Sequence, residues 1–284
     1  MTEIETALLV FVLLLVGTGL GVLLRPLLPE EHRKHETVQL VQLVLGMLVT
    51  FAALVLSLLT TSAKSSFDTA TSDMRAYAGD LIQLDGSLRD FGPDAEQARA
   101  ALRRYTAAAI ASTWLQEKPP PGDYYPRLAD TNNDELESVE LGALLNSVGH
   151  RIAAFEPHSR YQTVLAAHLG DLFARLRDAR WRLIEEAHGT LSRPFFVMLT
   201  LWLVLIFLMF GLIAPHNALA FVMIALGAVS ISSSVYVIVD LETPFTGQIV
   251  IPSDSMRDAL SHMNRPLAAQ VPQVPQVPQV PHPQ

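Results

Sequence analysis

Two long stretches within the first sixty residues are greasy, and in the second of them what breaks that pattern is ordered. Between Val38 and Leu59 almost every residue is Leu, Val, Met, Phe or Ala. The exceptions are Gln39, Gln42, Gly46, Thr50 and Ser57, with Ala53 among them. On a helix these positions, together with Thr61 and Lys64, share a sector roughly 100° wide. A helix in hydrocarbon gains nothing by carrying amides and hydroxyls, so gathering them on one side needs a cause. Two causes fit: a water-filled path shared by several copies, or a dry helix–helix seam that needs small residues.

Four apolar stretches stand out: 7–24, 38–59, 195–213 and 218–239. Each has about the 20 residues that an α-helix needs to cross a bilayer, and none has a charge in its interior. The predicted fold class is therefore all-α, a polytopic membrane protein with four transmembrane helices and a helical cytosolic domain between helices 2 and 3. The first stretch does not read as a cleaved signal, because its flank carries Glu3 and Glu5 instead of lysine or arginine and no A-x-A site follows it. Its Gly17-Thr-Gly-Leu-Gly21 run admits a close neighbour or a bend.

The second helix is expected to run on past the membrane. From Ser62 to Arg89 there is no proline, and Phe67, Met74, Tyr77, Leu81, Leu84 and Leu88 keep helical spacing. The polar line continues through Lys64, Asp68, Thr71 and Arg75. Gly92-Pro93 breaks the helix, and a second one follows through Trp114. Lys118-Pro-Pro-Pro-Gly-Asp123 is a loop. Asp130, Asn132 and Asp134 imitate the start of a calcium loop, yet its sixth position is Glu135 and its twelfth Leu141, so helix capping by Asn132 or Asn133 is the better reading. Helices are then expected up to Phe155 and from Ser159 to His188. Arg175, Arg177, Arg180 and Arg182 read as a solvated surface. In span four, Gly227, Ser230 and Ser234 on one face, with Ser232 and Ser233 beside them, predict tight packing. His32 and His35 read as a loop and not a metal site, since no third ligand stands near.

This gives segments 1–63 (helices 1 and 2), 64–193 (cytosolic), 194–240 (helices 3 and 4), 241–266 (membrane-proximal) and 267–284, a Gln-Val-Pro repeat that samples polyproline II. That tail is a candidate ligand for a proline-reading domain. Lysine and arginine near the span ends favour one side: Lys64, Arg75, Arg175 to Arg193 and Arg257 outweigh Arg25, Arg33 and Lys34. Both termini and 64–193 are thus expected in the cytoplasm of a cell that holds the chain in its inner membrane.

Composition removes several alternatives. The chain has no cysteine, which excludes disulfides and thiol chemistry, and its net charge of −8 without a basic cluster argues against nucleic acid. No nucleotide-binding, zinc-protease or hydrolase motif occurs, and no nucleophile, base and oxyanion donor assemble, so neither an enzyme nor a cofactor is expected.

In the second half the residues resemble a known family. Trp202-Leu-Val-Leu-Ile-Phe-Leu-Met-Phe-Gly-Leu-Ile-Ala-Pro-His-Asn217, Leu241-Glu-Thr-Pro-Phe-Thr-Gly247, Ile249-Val-Ile251 and Met256-Arg-Asp-Ala-Leu260 are similar to the bestrophin-like family. Leu45-Gly-Met47, Thr50-Phe51 and Leu102-Arg-Arg-Tyr105 fit the same pattern. The resemblance implies an oligomeric ion channel whose second span lines the pore, with lipid, ions and further copies of the chain as partners. On it, Gln39, Gln42, Gly46, Thr50, Ala53, Ser57, Thr61 and Lys64 are pore-lining, and Asp68, Thr71 and Arg75 form a vestibule. Asp240, Glu242, Pro244 and Phe245 stand where bestrophins have an acidic stretch with a Pro-Phe pair, whose neighbourhood binds calcium in animal members. The run of consecutive aspartates is missing, which leaves Asp240 and Glu242 as weak calcium candidates and a chain-reversing turn as the main role. Of the aromatic constriction in bestrophin pores, only Phe51 stands in span two, beside the polar line. A non-conducting scaffold or sensor assembled through the same face is the alternative.

Overall fold

In the computed structural model the chain is helical, and the structure describes residues 3–27, 35–127, 138–187, 193–215 and 217–265. Among the described residues eight α-helices follow in order: α1 (Glu3–Leu24), α2 (His35–Phe91), α3 (Glu96–Thr113), α4 (Val139–Ala153), α5 (Arg160–Ala187), α6 (Arg193–Ile213), α7 (Ala218–Leu241) and α8 (Asp254–Asn264). Four of them, α1, α2, α6 and α7, are long and apolar enough to cross a membrane. The chain is an all-α membrane protein.

α2 is one unbroken helix of 57 residues. At 1.5 Å per residue it has a length of about 85 Å, far more than the roughly 30 Å of a bilayer core. It ends where Gly92 takes a φ of 109° and Pro93 starts a short 3₁₀ turn, which delays α3 to Glu96. The chain divides into two compact units, residues 1–74 with 179–252 and residues 75–178 with 253–284.

The first unit holds the four spans. Its core is apolar: Val10 and Leu14 of α1, Ala52, Leu59 and Ala63 of α2, Leu199, Leu203 and Phe207 of α6, and Ala228 and Val235 of α7. α1 and α6 meet backbone to backbone. A Cβ on Gly21 would lie 2.1 Å from the Leu208 carbonyl oxygen, and one on Gly211 would lie 2.1 Å from that of Thr18. So Gly17 and Gly21 serve close approach, while Gly19 faces open space. Of the small residues expected to pack on α7, Ser232 is buried, together with Ala228 and Val235, whereas Ser230, Ser233 and Ser234 are exposed. Arg180, predicted on a solvated surface, is buried at 7% exposure.

In the second unit α2 packs through Tyr77, Leu81, Leu84 and Leu88, and α3 through Ala98, Leu102, Tyr105 and Ile110. The buried Asp85 carboxylate accepts from Arg99 at 3.0 Å and from Arg89 at 3.0 Å. Such a pair is costly to break from one side, because the partner charge is then left buried alone. The helix α8 is tied to the chain after α3 where Arg257 meets Glu117 at 2.8 Å. The hydroxyl of Ser253, which donates to the Glu117 carboxylate, holds that carboxyl below the usual range, with Arg257 adding to the effect. The described part of α4 starts at Val139, capped by the Ser138 hydroxyl, which accepts from the Leu141 amide. Asn132 and Asn133, His32 and the repeat tail lie outside the described residues.

Candidate functional site

The polar line on α2 points away from the chain's own core. Ala52, Leu59 and Ala63 mark the packed face. At 100° per residue, the line through Gly46, Thr50 and Ser57 lies roughly 130° round the helix from it. Gln39, Gln42, Gly46, Thr50, Ala53, Ser57, Thr61 and Lys64 are all exposed, and a Cβ on Gly46 would meet nothing within 4 Å. Among the four candidate spans α2 buries the smallest share of its most apolar window, 11% against 22–28%. One copy of the chain therefore presents this line without covering it.

The hydroxyls on the line are oriented by their own helix. Thr50 donates to the Gly46 carbonyl at 2.9 Å, and Thr61 to that of Ser57 at 2.9 Å. Each proton is thus held on the helix, and the oxygen's lone pairs face outward as acceptors. Lower down, Lys64 donates to Asp68 at 2.5 Å, with both side chains more than half exposed. The Lys64 ammonium also stands 5.5 Å over the Phe67 ring. The i, i+4 spacing had the pair in plain sight. It means that Lys64 and Asp68 largely offset each other. Thr71, next on the line, is half-buried and donates to the Phe67 carbonyl, while Arg75 is exposed.

Beside the line lies a feature with no sequence signal. A cavity of about 490 Å³ is walled by Gln42 and Leu45 of α2, Phe207 and Phe210 of α6, and Met223, Ile224 and Gly227 of α7. Gln42 therefore belongs to two surfaces at once. On the other side of the line, Leu40, Leu43, Met47, Leu54 and Leu58 form an exposed apolar shoulder, and Phe51 is 53% exposed at its edge.

The acidic turn is a separate construction. Asp240 is fully buried, and its two carboxylate oxygens accept from the Gln248 amide at 2.8 Å and the Ile249 amide at 2.9 Å. The Ile251 amide donates to the Pro244 carbonyl, closing the reversal. A side chain at Gly247 would collide with Asp240, since its Cβ would lie 2.5 Å from Oδ1. The carboxylate thus pins residues 240–249 into the turn, offsetting the unfavourable charge at a helix C-terminus. Pro244 and Glu242 are buried and Phe245 half-buried in the same turn. Among the described residues no three His, Asp or Glu side chains gather as a metal site, and a calcium ion asks for six or more oxygens.

On one further face of α2, away from the line, Asp73 meets Arg182 of α5 at 3.7 Å. Burial pushes the neighbouring Glu186 carboxyl up, and the charge of Asp73 adds to the shift.

Known proteins agree with this architecture. The chain is similar to a bacterial bestrophin homologue from Klebsiella pneumoniae carrying an isoleucine-to-threonine change, at 16% identity, with 91% of this chain and 97% of that one covered and a TM-score of 0.60. A tryptophan-to-alanine form of that homologue gives 15% identity, 93% and 97% coverage, and a TM-score of 0.61. A membrane protein with a proline-to-alanine change gives 17%, 92% and 99%, and 0.59. No curated protein sequence matches the chain. At such identities the shared fold is what these structures show. The Bestrophin-like domain model, however, matches residues 11–256, nearly the whole of the described chain, and on that match this protein belongs to the bestrophin-like family.

Proposed function

We propose that several copies of this chain form a ring around α2 and conduct ions along its polar line. The observation that carries the reading is the uncovered line itself: eight small or polar positions, from Gln39 to Lys64, aligned on the least-buried span and turned from the subunit's own core. One stripe cannot enclose a path, so the reading requires rotational symmetry. The solved bacterial bestrophin homologues with this fold, and membership of the family, support it. In the ring Gln39, Gln42, Thr50, Ser57 and Thr61 face water, Gly46 and Ala53 leave width, and Lys64 closes the membrane stretch. Asp68, Thr71 and Arg75 continue the line into a cytosolic vestibule. The 64–193 segment and both termini lie in the cytoplasm, and the membrane is the inner one. Residues 241–266 return the chain to the membrane-proximal surface through the Asp240 turn.

A dry seam is the competing use of the same face. It is favoured by the Thr50 and Thr61 hydroxyls, which already satisfy their donors on their own helix. Substitution separates the two. Purified protein carrying Thr50→Leu and Ser57→Leu is reconstituted into planar bilayers and its particle mass is measured. A pore loses its current while the assembly survives; a seam loses the assembly. Wild-type protein that yields no single-channel events across a range of salts and voltages defeats the conduction reading.

A further inference from the structure

The membrane half of α2 has three faces in rotation. One packs in the chain's own core, and the polar line follows it. The third is the shoulder of Leu40, Leu43, Met47, Leu54 and Leu58, each 55–66% exposed. Counting 100° per residue, the shoulder lies roughly 60–120° from Gly46, on one flank of the line. The cavity behind Gln42 and Leu45 lies on the opposite flank, at roughly 40–100° the other way. Gly227 of α7 is part of the cavity wall, and Ser230 and Ser234, one and two turns further along that helix, are exposed.

We propose that the shoulder of one copy seats in the cavity of the next, so that the assembly closes through a head-to-tail contact. This rests on the ring around α2. Once the polar line faces a common axis, the two flanks of α2 face the two neighbours. Rotation then brings one flank of each copy against the other flank of the next. The two flanks differ as such a contact requires: one exposes the Leu and Met side chains of α2, the other is hollow and lined on α7 by Ala220, Met223, Ile224 and Gly227. An axis along the membrane normal leaves depth unchanged. The side chains that enter must therefore stand level with Gln42 and Leu45, which selects Leu43 and Met47. Without hydrophobic drive between helices in lipid, filling a hollow with well-packed side chains is what holds such a seam.

The chain has no cysteine, so paired cysteines report on this contact cleanly. Leu43→Cys and Met223→Cys are placed in one chain and oxidised mildly in native membranes. The expected result is a ladder of covalent multiples on non-reducing gels. Chains carrying only Leu43→Cys, co-expressed with chains carrying only Met223→Cys, give dimers and nothing larger. Leu58→Cys with Met223→Cys gives no ladder, since Leu58 lies about 22 Å deeper than Leu43. Dimers from Leu43→Cys alone, as strong as those from the pair, overturn the proposal in favour of shoulder-on-shoulder contact. Monomers throughout, with the cavity labelled by a photoreactive acyl chain, overturn it in favour of lipid. Native mass spectrometry of the same samples separates the two levels: a multimer without the ladder refutes this seam alone, and one subunit per particle refutes the ring as well.

Discussion

Gly21 in α1 and Gly46 in α2 sit in the middle of apolar helices with small residues a turn away, and their surroundings are opposites. A side chain on Gly21 would run into the α6 backbone at 2.1 Å; one on Gly46 would meet nothing within 4 Å. The α1 small-residue face is consumed inside the chain, and the α2 face is left over. A short motif of glycines in a membrane helix therefore says that something comes close or passes by, without saying whether the same chain supplies it. The difference becomes a functional statement only when one copy has been folded and its surfaces counted.

The largest expected effect breaks the α1 side of this contrast. Gly21→Leu forces α1 and α6 apart along a backbone contact that has no flexible atom to give way, and overpacking of this kind costs about 1–3 kcal/mol or more. The variant is expected to lose monodisperse protein on gel filtration after detergent extraction. Gly46→Leu, the same change on the open face, is expected to leave extraction and thermal midpoint near those of the wild type. If Gly46→Leu unfolds the isolated subunit as Gly21→Leu does, the distinction between the two faces is void.

Next in size is the functional half of the contrast. Thr50→Leu with Ser57→Leu is expected to cut single-channel conductance by at least about tenfold, because two rings of wetted hydroxyls become a hydrophobic constriction that gates by dewetting. Particle mass stays constant. Alanine at both positions removes the hydroxyls but keeps the width, so it is expected to retain more current than leucine. Equal currents from the two pairs would mean that the line is not the path.

Much of this was legible in the residues. The four spans appear where the apolar runs placed them, and the unbroken α2 follows from the missing proline between Ser62 and Arg89. What the residues hid has a common cause. A membrane helix is apolar all round, so its hydrophobic pattern has no period to say which side is in. That is why the buried face of α7 runs through Ala228, Ser232 and Val235 and leaves Ser230 and Ser234 outside it. For the same reason the Leu43–Met47 shoulder was indistinguishable from lipid-facing residues. In the candidate site, the Lys64–Asp68 pair was readable from spacing, whereas the cavity beside Gln42 depends on helices nearly two hundred residues apart in sequence. Arg180 misled because a cluster of arginines resembles a wet surface until one of them is buried.

A smaller effect comes from the foot of α2, where its packed side carries Asp73 beside Glu186. Burial raises the Glu186 carboxyl, so its protonated form is the one the fold prefers. The sign follows: this contribution to stability is fully present below the ordinary glutamate value of 4.5 and is lost as pH rises through the raised folded-state value. Glu186→Gln, which mimics the protonated side chain, is expected to raise the thermal midpoint slightly at pH 7.5 and to leave it unchanged at pH 4. A rise of equal size at both pH values would assign the gain to packing.

The smallest effect on stability is expected at Asp68, and it is also the one that reads the field along the open face. Lys64 and Asp68 are both more than half exposed, so their pairing is worth well under about 1 kcal/mol. Asp68→Asn is therefore expected to leave the thermal midpoint within error. In a ring, however, each copy contributes the same change, and removing the carboxylates leaves a circle of Lys64 ammoniums with Arg75 further down the line. Anion permeability relative to cation permeability is expected to rise, most clearly in dilute salt, where the Debye length of about 30 Å at 0.01 M spans the circle. Lys64→Gln is expected to move the reversal potential the other way. If neither substitution shifts it at low ionic strength, these charges do not face the ions, and the polar line of α2 belongs to a dry contact like the one between α1 and α6.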